Sequence, residues 1–113
     1  MKPMIRICLC DEENKRFFGE GPCRLLHAVE ETGSLRAAAL SMEMAYTKAL
    51  QLIRNAEREL GFPLTVRKTG GKGGGGSCLT PEAKEFLHEY EVYRDACIQS
   101  CTEIYSQIFS RQP

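Results

Sequence analysis

The chain has 113 residues, 42% hydrophobic and 27% charged, with 15 basic and 15 acidic groups. That length allows one modest hydrophobic core and excludes two full ones, and the composition excludes a disordered or fibrous chain. No window approaches 18 consecutive apolar residues, and the opening MKPMIRICLCDEEN turns acidic before a secretory segment could form, so a cytoplasmic protein with no membrane partner is expected.

The zero net charge conceals an uneven distribution. Residues 1–33 carry 5 basic and 6 acidic groups, residues 34–80 carry 7 and 3, and residues 81–113 carry 3 and 6. The local positive potential that phosphate binding needs is therefore concentrated in the middle of the chain. The six cysteines are Cys8, Cys10, Cys23, Cys78, Cys97 and Cys101. With nothing marking the chain for export they are expected to be reduced. Cys8-x-Cys10 and Cys97-x3-Cys101 are not zinc-ribbon spacings, and His27 and His88 stand at no ligand spacing from them, so no metal and no cofactor is expected. The thiols read as small buried hydrophobes.

In chain order, residues 4–10 alternate Ile5, Ile7 and Leu9 with Arg6, Cys8 and Cys10, the period of a half-buried strand. Its expected partner is the later hairpin or the same strand of a second subunit. Asp11 to Phe18 reads as a connector, with Phe17 and Phe18 tucked under the domain. Gly21-Pro22 predicts a helix to about Glu31 with Leu25, Leu26 and Val29 inward, closed by Gly33. Ser34 caps a second helix at once, running to Ser41 and carrying Ala37, Ala38 and Ala39, small enough to let another helix approach. A turn near Met42 to Met44 leads to a third helix from about Ala45 to Leu60. Ala49, Ile53, Ala56 and Leu60 form its inward stripe, while Tyr46, Thr47, Lys48, Gln51, Arg54 and Arg58 form the other face.

Leu64 to Thr69 and Ser77 to Thr80 read as two strands joined by GGKGGGG at 70–76. So many glycines suit a hairpin tip and not a packed element. Thr80-Pro81 then starts a last helix with a cap and a proline in its first turn. Ala83, Phe86, Tyr90, Tyr93, Cys97, Cys101, Ile104 and Ile108 recur along it at steps of three and four. A helix from Pro81 to Phe109 would be about 40 Å long at about 1.5 Å per residue. So small a domain cannot cover it, so it is expected to project and pair with its copy.

These elements compose a fold that is mainly α with a small β-wing: a winged helix-turn-helix over residues 1–80 and a long C-terminal dimerisation helix over 81–113. A helix-turn-helix presents its second helix to the DNA major groove, where base edges offer a full donor and acceptor code. That makes Tyr46, Thr47, Lys48 and Gln51 the expected base readers, with Arg54, Arg58, Ser34 and Arg36 nearer the phosphates and Arg67, Lys68 and Lys72 on the wing. The dimer seam is expected at Phe86, Tyr90, Tyr93, Cys97, Cys101, Ile104 and Ile108. The glycine run is not a nucleotide-cradling loop, because Val66 stands where the first glycine of G-x-x-x-x-G-K-[ST] belongs and Gly73 replaces its Ser/Thr. No catalytic set accompanies it, so no enzyme is expected.

The run TGGKGGGGSCLT resembles the wing of the ModE-type molybdate-dependent transcriptional regulators, and LLHAVEETGSLRAAALSMEMAY is similar to that family's first helix and helix-turn-helix. The helix-turn-helix alone also resembles the LysR-type regulators. The resemblance covers about residues 4–110 and implies a homodimer reading a palindromic operator in double-stranded DNA. It also implies a C-terminal pair of molybdate-binding modules in full-length members, which these residues do not match. Direct molybdate sensing is therefore not expected of them, which leaves a separate molybdate-binding protein, the chain's own thiols, or no signal at all. The alternative is a winged-helix interaction module that docks on a protein through its long helix.

Overall fold

The computed structural model describes residues 1–68 and 76–110. The element order is β1 (Leu9–Cys10), β2 (Arg16–Phe18), α1 (Glu20–Thr32), α2 (Leu35–Ser41), α3 (Tyr46–Leu60), β3 (Thr65–Arg67), β4 (Ser77–Leu79) and α4 (Pro81–Ile108). No helix among the described residues is long and apolar enough to cross a membrane.

The helices begin and end where their residues dictate. Gly33, at φ 78°, closes α1, and its N–H donates to the Val29 carbonyl. Ser34 Oγ accepts the Ala37 N–H at 2.8 Å and opens α2. Thr80 Oγ accepts the Ala83 N–H at 3.0 Å and opens α4, while its hydroxyl donates to the Pro63 carbonyl at 2.7 Å. The cap of α4 is thus also the tie to the segment entering β3.

Around this frame Leu25, Leu26 and Val29 of α1, Ala38 and Ala39 of α2, Ala49, Ile53 and Ala56 of α3, and Leu64 and Leu79 beside the hairpin form one buried cluster. Phe18 completes it, edge-on to Phe86 at 4.8 Å and to Tyr90 at 4.9 Å between ring centroids.

The hairpin pairs Thr65 with Leu79, Val66 with Cys78 and Arg67 with Ser77 in antiparallel register, and the Lys68 N–H to Gly76 carbonyl bond extends it. Its returning strand is fastened to the α1–α2 turn. The Ser77 N–H donates to the Gly33 carbonyl at 2.8 Å, and a Cβ on Gly76 would fall inside the contact shell of that same oxygen. Glu57 of α3 adds a second tie, its carboxylate accepting the Leu64 N–H at 2.7 Å.

Two expectations change. The N-terminal strand does not span residues 4–10 or pair with the hairpin: only Leu9–Cys10 is strand, paired with Arg16–Phe18 across a register irregularity. The segment read as a connector is therefore the partner strand, turned back by Asp11, whose carboxylate accepts the Glu13 and Lys15 N–H groups. Residues before β1 instead follow α4. Tyr90 Oη donates to the Ile7 carbonyl at 2.7 Å and Tyr105 Oη to the Met1 carbonyl at 3.2 Å. Six extended residues span about 20 Å and fifteen helical ones about 22 Å, so the arm and the helix keep pace. The second change concerns Phe86 and Tyr90, placed by sequence on the dimer seam: Tyr90 is buried and Phe86 packs partly buried, both against the chain's own core.

Candidate nucleic-acid interface

The polar face of α3 is built as its periodicity requires. Ala49, Ile53 and Ala56 point inward and are buried, which leaves Thr47, Lys48, Gln51, Arg54 and Arg58 exposed. From Tyr46 to Ala56 the helix carries no acidic residue. Its acids, Glu57 and Glu59, come in the last turn, and Glu57 is occupied with the Leu64 N–H. The N-terminal stretch, the part of a recognition helix that reaches deepest into a groove, is therefore free of groups that would repel phosphate.

Tyr46 is half-buried and not fully presented. The Arg36 guanidinium lies over its ring at 4.3 Å, joining α2 to the start of α3 by a cation–π contact. Arg36 thereby holds the aromatic ring in place while remaining exposed itself. Ser34 is spent on capping α2, so its hydroxyl serves the fold first. Arg58 Nη2 donates to Asn55 Oδ1 at 2.6 Å, which steadies its guanidinium on the helix surface. Arg67 and Lys68 are exposed on the hairpin, and the Lys68 ammonium lies over the Gly33 turn beside the start of α2. Lys72 lies outside the described residues.

The rest of the expected seam divides at Tyr90. Beyond it Tyr93 (56% exposed), Ile104 (53%) and Ile108 (67%) stand on the projecting part of α4, with Cys97 and Cys101 half-buried between them. Ile5 from the N-terminal arm joins Tyr93, Cys97, Cys101 and Ile104 around a cavity of about 390 Å³. The cysteines are not uniformly core residues: Cys23 is buried, Cys8 and Cys10 are exposed, and the other three are intermediate.

One cluster is unforeseen by the spacing of cysteines and histidines. Cys23 and His27 face Glu91 of α4, and their ligand-capable atoms all lie within 4.8 Å of one another. His27 stands far in sequence from the C-x-C and C-x3-C pairs. The missed signal was Cys23-x3-His27, which puts both side chains on one face of a helix. Burial of Cys23, reinforced by the nearby Glu91 carboxylate, pushes its thiol up to about 11.

Comparison with known proteins places this geometry. Residues 23–84 match the family model for bacterial regulatory helix-turn-helix proteins of the lysR family. The chain is 40% identical over 74 residues to the molybdenum transport protein ModE of Herbaspirillum seropedicae, 66% of this chain and 26% of that protein. It is 35% identical over 69 residues to the transcriptional regulator ModE of Haemophilus influenzae, 61% and 27%. It is also 35% identical over 66 residues to the molybdenum-pterin-binding protein MopB of Rhodobacter capsulatus, 58% and 24%. The chain thus spans about a quarter of the length of these curated relatives. Among solved structures it is similar to the BenM_DBD/benA site 1 DNA complex, with a TM-score of 0.52 and 25% identity over 81% of this chain and 97% of that one.

Proposed function

Because the chain belongs to the lysR family of bacterial regulatory helix-turn-helix proteins, we propose that it is the DNA-reading unit of a ModE-type transcriptional regulator. The observation that carries this reading is the exposed, acid-free face of α3 from Thr47 to Arg54, set on a body similar to one solved on DNA. In this reading α3 enters the major groove, Thr47, Lys48 and Gln51 meet base edges, and Arg54, Arg58, Arg36, Arg67 and Lys68 meet phosphates. Tyr46 positions the helix start more than it reads bases, because Arg36 covers its ring.

The unit acts as a homodimer on a palindromic site, joined through Tyr93, Cys97, Cys101, Ile104 and Ile108 of α4. What supports this is that the stripe buried as Ala83, Leu87 and Tyr90 runs on past the body as exposed apolar side chains.

The test is a gel shift with operator DNA at several salt concentrations. The reading expects log affinity to fall with log salt by about 0.9 per phosphate contacted. No specific shift at low salt, with α4 still capturing a protein partner, would favour the interaction-module reading.

A further inference from the structure

We propose that Cys23 Sγ, His27 Nε2 and a Glu91 carboxylate oxygen bind a divalent transition-metal ion of the Zn²⁺ class, at the joint between α1 and the base of α4. The three atoms lie within 4.8 Å of one another, and His27 Nε2 is 3.2 Å from Glu91 Oε2. Tetrahedral coordination with bonds of about 2.0–2.3 Å puts ligand atoms about 3.3–3.6 Å apart, so small side-chain rotations close the set. One thiolate, one imidazole and one carboxylate suit Zn²⁺ or Co²⁺ and not Ca²⁺ or Mg²⁺.

A second observation points the same way. The other ring nitrogen of His27, Nδ1, lies 3.7 Å from Glu30 Oε1. A small rotation would bring that carboxylate within hydrogen-bond reach of Nδ1–H, the contact that orients a ligating imidazole and raises its basicity. The site opens to solvent on its imidazole and carboxylate sides, with the His27 side chain 44% exposed and that of Glu91 31%, while the Cys23 thiol is buried at its floor.

Arg94 stands beside the site. Its Nη1 is 3.9 Å from Cys23 Sγ and its Nη2 is 3.8 Å from Glu91 Oε2, offsetting the charge an ion would offset. Glu20 at 3.5 Å and Asp95 at 3.0 Å also hold the guanidinium, so it has partners to keep when it leaves the cluster. On binding, the Cys23 thiol loses one proton to solvent and its sulfur lone pair goes to the ion. Thiolate and carboxylate together balance the two positive charges, and water takes the fourth position. The site is separate from the α3 face and stands whether or not that face reads DNA.

The experiment titrates the reduced, metal-free full chain with Co²⁺ and follows the thiolate-to-cobalt charge-transfer absorption. One Co²⁺ per chain is expected, competed by Zn²⁺. The band should vanish in Cys23→Ser and persist in the Cys8→Ser/Cys10→Ser double variant. His27→Gln and Glu91→Gln alter partly exposed side chains outside the buried cluster, and should weaken binding at least about a hundredfold, with Glu30→Gln nearer tenfold. Wild-type affinity in both His27→Gln and Glu91→Gln, a band that survives Cys23→Ser, or no band in excess Co²⁺ would overturn the assignment.

Discussion

At Gly76 the lack of a side chain fastens the hairpin to the body, because only a bare Cα lets the strand pass the Gly33 carbonyl. Gly76→Ala is expected to cost about 1–3 kcal/mol as a small-to-large change against backbone, read by thermal unfolding. Thr80→Ala removes a helix cap and the donor to the Pro63 carbonyl together, and should cost about 1–2 kcal/mol in the same measurement. Cys23 gives a pH dependence. Its ordinary value of 9.0 is raised to about 11, so between those values the unfolded chain has lost the proton and the folded chain keeps it. Folding then binds the extra proton, and stability falls as pH rises from 9 to 11. Urea unfolding in EDTA should show this slope, and Cys23→Ala should make it shallower, leaving the part that the raised Tyr90 contributes. Caps were legible in sequence because Ser34, Thr80 and Gly33 act within their own turns. The Gly76 contact was not, since it depends on a carbonyl 43 residues away in the chain.

At the scale of elements, α3 should separate reading from holding. Gln51→Ala is expected to change preference between operators, whereas Arg54→Ala and Lys68→Ala should weaken all DNA sequences alike, about tenfold or less. Competition gel shifts on a panel of operators decide between these patterns. On α4, Ile104→Glu with Ile108→Glu places charge on the proposed seam and should yield monomers in analytical ultracentrifugation. Helix periodicity put these side chains on one stripe of α4 but could not say what covers it. Phe86 and Tyr90 obey the same spacing as Ile104 and Ile108, yet Phe18 packs on the first pair while the second stays 53% and 67% exposed. The alternation in residues 4–10 misled for a related reason. Period two describes an extended arm against a helix as well as a strand in a ladder, and only Leu9–Cys10 found a ladder.

At the scale of the whole molecule, the Cα radius of gyration is 17.2 Å, against about 13 Å for a compact chain of this length. The longest dimension is 61 Å and the others are 31 and 24 Å. This elongation is α4 leaving the body, foreseen from length alone because 28 helical residues outrun so small a core. Aromatic packing of Phe18 on Phe86 and Tyr90 makes the base of that helix a fulcrum and the remaining 18 residues a lever arm of about 27 Å. A tilt of about 5° at the base would carry the tip about 2 Å, a sizeable part of one base-pair step. In the proposed dimer, the packing of Phe18 on Phe86 and Tyr90 thus bears on how far apart the two reading helices stand, without any contact to the DNA.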